Sequence, residues 1–340
     1  MIKIKVVNWR CIENLELELA KINIFIGKNS TGKSSLAYAI YFASKSRNYD
    51  PQYLLFQMYG CSFNEVARLV DNKPQFPISI KIENSELSID KKEEKFEINI
   101  LQNSPWSDEF LLPSKRNAYY QIMMLLRRIT GELKNKPEAT FIMSFVGGLF
   151  ELFKGIPISP PFGIFAIDYT RAVTGFQIKP IVGGLKYIGN YLINVIPLFS
   201  LIEFTYQDPF VNLQLPPELT PDGLLDFSIC DSVVKGIPEG SLVIIEEPEI
   251  HKNPLMIKEY TEEIIKKSLD KKITLILVTH SDIPLITIGD LIVKKILKPE
   301  EVKVYYFKRD PWTKISEIKV YEDGTIESLP DSEELITHLF

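Results

Sequence analysis

Alternating apolar and polar positions begin the chain and predict two antiparallel strands. Ile2, Ile4 and Val6 alternate with lysines, and residues 15–19 (LELEL) repeat the period of two. Because neighbouring side chains of a strand point to opposite faces, each strand is expected to bury one face and expose the other. Residues 76–101 alternate in the same way, which predicts an antiparallel meander.

Apolar runs predict a second class of strand, covered on both faces. These strands are residues 22–26 (INIFI), 241–247 (SLVIIEE) and 273–280 (ITLILVTH). An amphipathic helix is predicted at 255–268, and strand–helix–strand order indicates a parallel crossover unit. The remaining predicted elements are a helix at 34–44, strands at 110–112, 202–206, 211–215, 302–308 and 316–320, and a short helix at 333–339.

Residues from about 117 to 197 lack this regular order. Their pattern is helical and irregular, with breaks at glycine and proline pairs such as 147–148 and 183–184. We therefore predict an α/β fold with a mixed sheet flanked by helices, an antiparallel β meander and an inserted helical subdomain. The predicted divisions are an N-terminal lobe at 1–113, the inserted helical subdomain at 114–199 and a C-terminal lobe at 200–340.

The composition is that of an ordinary folded protein, with 45% hydrophobic and 24% charged residues among 340. A net charge of −5 gives the chain no overall basic character, so binding to DNA would need a local basic patch. Lys115-Arg116 and Arg127-Arg128 are the candidate pairs, and simple solvation is the alternative explanation for both.

Cysteine use and hydropathy indicate the compartment. Cys11, Cys61 and Cys230 are isolated, which argues against a disulfide framework or a zinc site and favours the reducing cytoplasm. The first residues lack the apolar segment of a secretory signal. The most apolar stretch, 141–153, is too short to span a bilayer, so we expect a buried helix and no membrane partner.

Residues 27–34 (GKNSTGKS) match the phosphate-binding pattern G-x-x-x-x-G-K-[ST], between a predicted strand and a predicted helix. The glycines let backbone N–H groups point at phosphate oxygens, and the dipole of the following helix adds to that field. Lys33 is expected to reach the β- and γ-phosphates of ATP, and the Ser34 hydroxyl to ligate Mg²⁺. A glycine-rich surface turn is the alternative, which the strand–loop–helix order disfavours. The predicted nucleotide-binding residues are Asn29, Ser30, Thr31, Gly32, Lys33, Ser34 and Ser35.

Two acids and a histidine end the buried strands that follow. A P-loop protein needs a carboxylate near its metal and a group that orients the attacking water. Glu246 is expected in the Mg²⁺ shell, and Glu247 at the water. His280 ends the next strand, and because the carboxyl ends of parallel strands converge, it is expected at the γ-phosphate or the water. A pair of surface carboxylates and an ordinary histidine are the alternatives.

Together these residues resemble the RecF/SMC/OLD-like branch of the ABC-type P-loop ATPases. The similarity covers roughly residues 1–45 and 200–325. The first 40 residues resemble the N-terminus of that branch, which implies that Asn8-Trp9-Arg10 lies beside the nucleotide, with Arg10 near the phosphates or the base.

Three later segments extend the resemblance. Residues 242–254 (LVIIEEPEIHKNP) resemble the Walker B and D-loop segment, which implies that Glu247 is the catalytic carboxylate and that His251 lies near a dimer contact. Residues 277–282 (LVTHSD) resemble the switch-histidine loop, and residues 110–116 (FLLPSKR) resemble a Pro-x-x-Arg segment of predicted ATPases.

The sequence departs from this family at the signature loop, where relatives cap a partner's γ-phosphate with Ser-x-Gly. Residues 219–223 (LTPDG) place Pro221 at the serine position, followed by Asp222. A proline donates no hydrogen bond and a carboxylate repels phosphate. Either Thr220 substitutes after a shift in register or the capping is weak, and we expect slow hydrolysis. Gln57 and Gln102 are both candidates for the Q-loop glutamine.

The resemblance implies a Mg²⁺-dependent ATPase that forms an ATP-dependent homodimer and acts as a switch. Its output would be an effector protein, such as a nuclease or a defence component, or DNA. We expect no Toprim nuclease domain, because only about 60 residues follow His280, and no long coiled coil, because the middle lacks sustained heptads. The alternative is a nucleotide-gated scaffold with little or no hydrolysis; a transporter ATPase subunit and a nucleotide kinase are weaker.

Overall fold

The computed structural model describes residues 1–117, 165, 168–175, 180–186, 188–196 and 201–330. The strands are β1 (Ile2–Trp9), β2 (Ile12–Leu19), β3 (Ile22–Gly27), β4 (Leu69–Val70), β5 (Lys73–Pro74), β6 (Ile78–Ile82), β7 (Ser85–Lys92), β8 (Lys95–Asn99), β9 (Glu109–Leu112), β10 (Ile181–Leu185), β11 (Gly189–Ile196), β12 (Leu201–Gln207), β13 (Gln214–Leu215), β14 (Leu242–Glu246), β15 (Thr274–Thr279), β16 (Val302–Arg309) and β17 (Thr313–Ile318). The α-helices are α1 (Lys33–Lys45), α2 (Pro51–Tyr59), α3 (Phe63–Val66), α4 (Asp222–Gly236), α5 (Pro254–Asp270) and α6 (Ile283–Val293). The described residues fall into two units. The first lies within Met1–Leu54, Cys61–Leu111 and Pro238–Phe340, and the second lies within Leu55–Gly60 and Leu112–Ile237.

A six-stranded sheet in the order β17-β16-β3-β15-β14-β9 forms the centre of the first unit. β3 pairs in parallel with β15 on one side and with β16 on the other, and β14 pairs in parallel with β15. The side chains of β3, β14 and β15 are apolar and buried nearly throughout. Helix α1 packs against all three strands, as expected for strands in the interior of a parallel sheet. Their carboxyl ends therefore lie at one edge of the sheet.

A second, antiparallel sheet of the first unit has the order β2-β1-β6-β7-β8. Ile4 pairs with Ile82 and Val6 with Ile80, and all four side chains are buried. Helix α1 contacts β1 and β6 of this sheet as well as the six-stranded sheet. Because both sheets cover the helix, only Ser34 of its 13 residues is exposed or half-exposed.

The local sequence of helix α5, which lies between β14 and β15 in the chain, determines where the helix begins and which of its faces is buried. Its first residue is Pro254, and the Asn253 side chain caps it by accepting a hydrogen bond from the Met256 backbone N–H at 3.0 Å. Tyr260 and Ile264 follow Met256 on the buried face at helical spacing. This face packs against β15 and α6, so the polar positions of the helix stay at the surface.

The second unit contains an antiparallel sheet in the order β10-β11-β12-β13, covered by α4. A π-helical turn at Arg171–Gly175 packs on α4. Gly236 permits this approach, because a Cβ there would lie 2.2 Å from the Ala172 carbonyl oxygen.

Most predicted elements are confirmed, including the opening antiparallel pair, the buried strands β3, β14 and β15, the meander β6–β8, the strand β9 and the helices α1 and α5. The helical prediction is wrong for residues 181–196, which form the antiparallel strands β10 and β11. Gly183 and Gly184, predicted as breaks, lie inside β10. Glycine suits position 184 because a Cβ there would lie 2.3 Å from the Asn190 Oδ1 atom of the neighbouring strand. The strand predicted at 211–215 is only the two residues of β13.

Some predictions fall outside the described residues, namely the helices at 141–153 and 333–339 and the pair Arg127-Arg128. The divisions at 113/114 and 199/200 stay predictions. Among the residues that the structure describes, no helix is both long and apolar enough to cross a membrane.

Candidate functional site

The phosphate-binding loop joins β3 to α1 in a conformation that requires its two glycines. Gly27 and Gly32 have φ angles of 146° and 104°, in the region that disfavours other residues. A Cβ would also clash, lying 2.5 Å from the Phe307 carbonyl oxygen at Gly27 and 2.2 Å from the Thr313 Oγ1 atom at Gly32. The loop is therefore fixed against β16 and β17 in the shape that aims the start of α1 at an anion.

Lys33 is the first residue of α1, and its ammonium group lies inside the loop. Its Nζ donates to the carbonyl oxygens of Gly27 and Lys28, both at 2.7 Å, and lies 3.4 Å from the His280 Nδ1 atom. Burial lowers the pKa of Lys33 to about 8, although Glu249 and neighbouring acids oppose that shift. The structure thus brings Lys33 and His280 together.

The two predicted acids lie at the end of β14 in different settings. Glu246 is buried, and its Oε2 atom accepts a hydrogen bond from the Tyr38 hydroxyl at 2.6 Å. Glu247 has a φ of 46°, and its backbone N–H donates to the Val278 carbonyl oxygen at 2.7 Å. Left-handed backbone at a non-glycine residue is costly and recurs at functional sites.

Glu249 is a residue of the site that the sequence analysis missed. Its Oε1 atom accepts from the His280 backbone N–H at 2.7 Å, and its Oε2 atom accepts from the Thr279 hydroxyl at 2.8 Å. The carboxylate therefore fixes the loop after β15 to the segment after β14. The only available signal was a third acid in the run EEPE, which does not reveal a partner 31 residues away.

These segments line a cavity of about 520 Å³ that is open to solvent. Its lining is drawn from the phosphate-binding loop and from the ends of β14 and β15: Lys28, Asn29, Glu247, Glu249, Ile250 and His280. A cationic loop with N–H donors on one side and a carboxylate with an imidazole on the other suits the transfer of a phosphoryl group to water.

The donor set fits a nucleotide-bound Mg²⁺ ion. Ser34 lies exposed in the first turn of α1, and Glu246 adds a carboxylate at the end of β14, where it meets Tyr38 of the same helix. The described residues hold no group of three or more His, Cys, Asp or Glu side chains placed for a metal ion. Mg²⁺ in nucleotide sites uses one or two protein oxygens plus phosphates and water, so this sparse set is sufficient.

The position of the N-terminal element Asn8-Trp9-Arg10 beside the nucleotide stays a prediction. Trp9 is fully buried, with its ring 5.1 Å from that of Phe42 in α1, so it belongs to the core. The Asn8 side chain donates to the Pro77 carbonyl oxygen at 3.0 Å. Arg10 is exposed with a φ of 50°, and its predicted role at the phosphates or the base stays a prediction.

The signature-like loop lies in the second unit and begins α4. Pro221 is the N-cap residue and provides no side-chain cap, and Asp222 is the acid of the first turn. A carboxylate at a helix N-terminus is stabilised by the helix dipole. This stabilisation explains the presence of Asp222 at this position, and no bound ligand is needed to explain it. Thr220 is nearly buried, with its hydroxyl 3.4 Å from the Pro216 carbonyl oxygen.

The Pro-x-x-Arg segment has a structural role within the second unit. The Arg116 guanidinium and the Asp226 carboxylate are both fully buried and pair through two contacts, at 2.7 and 2.8 Å. Arg116 also donates to the Pro113 carbonyl oxygen at 3.0 Å. The proposed DNA contact at Lys115-Arg116 is therefore wrong for Arg116, because a buried guanidinium cannot reach a phosphate backbone.

The remaining candidates do not line the cavity. Gln57 is fully buried in α2, and Gln102 is exposed ahead of β9. His251 is exposed with a φ of 59° in the segment after β14, where its place at a dimer contact stays a prediction.

Comparisons with known proteins find one family model and several similar folds. Residues 1–137 match the family model of an AAA ATPase domain. The structure is similar to an SMC head bound to the C-winged helix domain of ScpA, with 12% identity, a TM-score of 0.52 and coverage of 93% of this chain and 97% of that chain. It is also similar to an SMC head domain with an extended coiled coil bound to the C-terminal domain of ScpA, derived from Pyrococcus furiosus, with 12% identity, a TM-score of 0.51 and coverage of 100% of both chains.

No curated protein matches the sequence. The expected likeness to SMC-type proteins is confirmed in the fold. The chain therefore has the fold of an SMC head domain, and its first 137 residues match an AAA ATPase domain.

Proposed function

We propose that this protein binds ATP with Mg²⁺ and hydrolyses it slowly, as a switch that closes when two copies associate. The observation that carries the proposal is the single cavity shared by the phosphate-binding loop, Glu247 and His280. These are the groups that binding, water activation and γ-phosphate contact require, and they come from three separate segments of the chain.

The chemistry follows from the position of each side chain. Lys33 exchanges its contacts with the Gly27 and Lys28 carbonyl oxygens for the β- and γ-phosphates. Glu247 orients the attacking water and accepts its proton, and His280 holds the γ-phosphate or that water. When bound at Ser34 and Glu246, Mg²⁺ would neutralise charge on the phosphate oxygens.

A homodimer is proposed because a cavity this open leaves the γ-phosphate side exposed to water. In the proposed dimer, residues 219–223 of a second copy cover it, although Pro221 offers no donor. The switch would act on an effector protein, such as a nuclease or defence component, or on DNA. The SMC heads of similar fold are bound to domains of ScpA, which favours a protein partner.

Steady-state ATP hydrolysis measured against protein concentration tests this function. Glu247→Gln should lower kcat by about 100-fold or more while nucleotide binding remains. Glu263→Gln, at a half-exposed pair with Lys267 on α5, is the matched control and should leave turnover unchanged. Turnover that survives in Glu247→Gln would refute the catalytic assignment, and turnover strictly proportional to concentration would refute the dimer.

The second candidate function is a nucleotide-gated scaffold with little or no hydrolysis. Asp222 favours it, because the N-terminus of α4 already carries a negative charge where a partner's phosphate would approach. ATP binding without turnover at any protein concentration would establish this alternative. The three cysteines are free thiols, and a cytoplasmic location remains part of the proposal.

A further inference from the structure

The loop between β16 and β17 is attached directly to the phosphate-binding loop. The Thr313 hydroxyl donates to the Thr31 carbonyl oxygen at 2.9 Å, and the Thr313 backbone N–H donates to the Cys11 carbonyl oxygen at 2.9 Å. The Cys11 Sγ atom in turn lies 3.6 Å from the Ser35 hydroxyl. Residues 310–313 and the turn after β1 therefore both flank the N-terminal end of α1.

Trp312, immediately before Thr313, presents an indole beside this site. The Arg68 guanidinium carbon lies 4.8 Å from the centroid of the indole ring, in a cation–π contact. Arg68 is itself held, by Asn8 Oδ1 at 3.0 Å and by the Glu13 carboxylate at 3.0 Å. The indole is thus fixed on one side by a positioned cation.

Trp312 differs from the other tryptophans of the chain in its exposure. Trp9 and Trp106 are 0% and 3% exposed, whereas Trp312 is only half-buried. A flat, partly exposed aromatic ring held by a cation is the surface on which a nucleobase stacks. Its place in the chain, one residue from the contact with Thr31, puts it at the phosphate end of α1.

We propose that Trp312, backed by Arg68, is the platform for the base of the bound nucleotide. The inference rests on the proposed nucleotide site and adds the part of the ligand that the phosphate-binding loop does not contact. Because stacking accepts any base, the platform distinguishes a nucleotide from inorganic polyphosphate and does not select adenine over guanine.

Calorimetric titrations of the full chain with ADP and with tripolyphosphate, both with Mg²⁺, test the platform. Trp312→Ala should weaken ADP binding by about tenfold, in line with the loss of one base–aromatic stack, and leave tripolyphosphate binding unchanged. Trp312→Phe, which keeps a ring, should restore ADP binding. Tyr321→Ala removes another exposed aromatic side chain beyond β17 and is the matched control.

Fluorescence gives a second readout, since ADP but not tripolyphosphate should alter the emission of Trp312, and Trp312→Phe should lose that response. Equal weakening of both ligands in Trp312→Ala would overturn the platform, because it would indicate a damaged phosphate loop. Unchanged ADP affinity in Trp312→Ala would overturn it as well while leaving the proposed function intact. If the wild-type protein bound neither ligand, the proposed function would fail, and the platform with it.

Discussion

The Glu249 carboxylate accepts a hydrogen bond from the backbone N–H of His280 at 2.7 Å and so ties the segment after β14 to the loop after β15. Its other oxygen accepts the Thr279 hydroxyl, which leaves the loop after β15 anchored at two points. Catalytic groups lose much of their effect when displaced by about 1 Å. The anchor therefore sets where the His280 imidazole can act.

We predict that Glu249→Ala lowers kcat for ATP by about 10- to 100-fold, because His280 is no longer held in position. Nucleotide affinity should change far less than kcat. Paired measurements of kcat and of the Kd for ADP check this, with Glu263→Ala on α5 as the control. A fall in affinity as large as the fall in kcat would contradict a positioning role.

Thr313→Val should loosen the phosphate-binding loop. The substitution keeps the shape of the side chain and removes the hydroxyl that donates to the Thr31 carbonyl oxygen at 2.9 Å. The expected loss is about 1 kcal/mol of unfolding free energy, together with weaker tripolyphosphate binding. Chemical denaturation and calorimetry measure the two effects. Thr313→Ser retains the hydroxyl and should behave as wild type; equal effects of both substitutions would point to packing instead.

The Arg116–Asp226 pair of the second unit should show strong coupling. Arg116→Met alone leaves a fully buried carboxylate without its partner, and we expect a loss of about 3–5 kcal/mol. The double variant Arg116→Met/Asp226→Leu should lose much less than the sum of the single variants. Denaturant titration of the four proteins measures the coupling.

A more exposed ion pair, Lys5–Glu16, serves as the comparison for the Arg116–Asp226 double-mutant experiment. The side chains of Lys5 and Glu16 are 37% and 66% exposed, so Lys5→Met should cost no more than about 1 kcal/mol. Strict additivity at Arg116 and Asp226 would show that their contact contributes nothing beyond the separate side chains.

Alkaline stability should depend on Tyr305. Burial raises the pKa of its phenol from 10 to about 12, and the hydroxyl donates to the Glu18 carbonyl oxygen at 2.6 Å. Because the folded state holds this proton more tightly than the unfolded state, the stabilisation is complete below pH 10 and is lost as the pH rises toward 12. Unfolding free energies of wild type and Tyr305→Phe measured across that range should converge. Parallel curves would exclude this residue as the cause.

The central strands and the phosphate-binding loop could be predicted because their signals are local. The glycines and Lys33 occur at a spacing that one loop conformation explains, and the apolar run of β3 indicates cover on both faces. The resemblance to SMC-type proteins rested on the same segments, which the fold confirms.

What the sequence could not provide depends on contacts between distant segments. β10 was predicted as part of a helical region in which Gly183-Gly184 is a break, and only the pairing with β11 explains glycine there. The role of Glu249 follows from the direction of its side chain in a loop, which no periodicity encodes. The burial of Trp9 against Phe42 was not predicted either, because the contact joins two segments that are distant in the sequence.

The hydrogen bond from Tyr38 to Glu246, at 2.6 Å, connects helix α1 to the acid expected beside the metal. A cation that takes the Oε2 oxygen as its ligand would weaken the hydrogen bond from this phenol. The near-ultraviolet absorption of one tyrosine would then register the arrival of the ion before any bond in the nucleotide breaks. Tyr38 would therefore distinguish the loading of the ion from turnover by an optical signal.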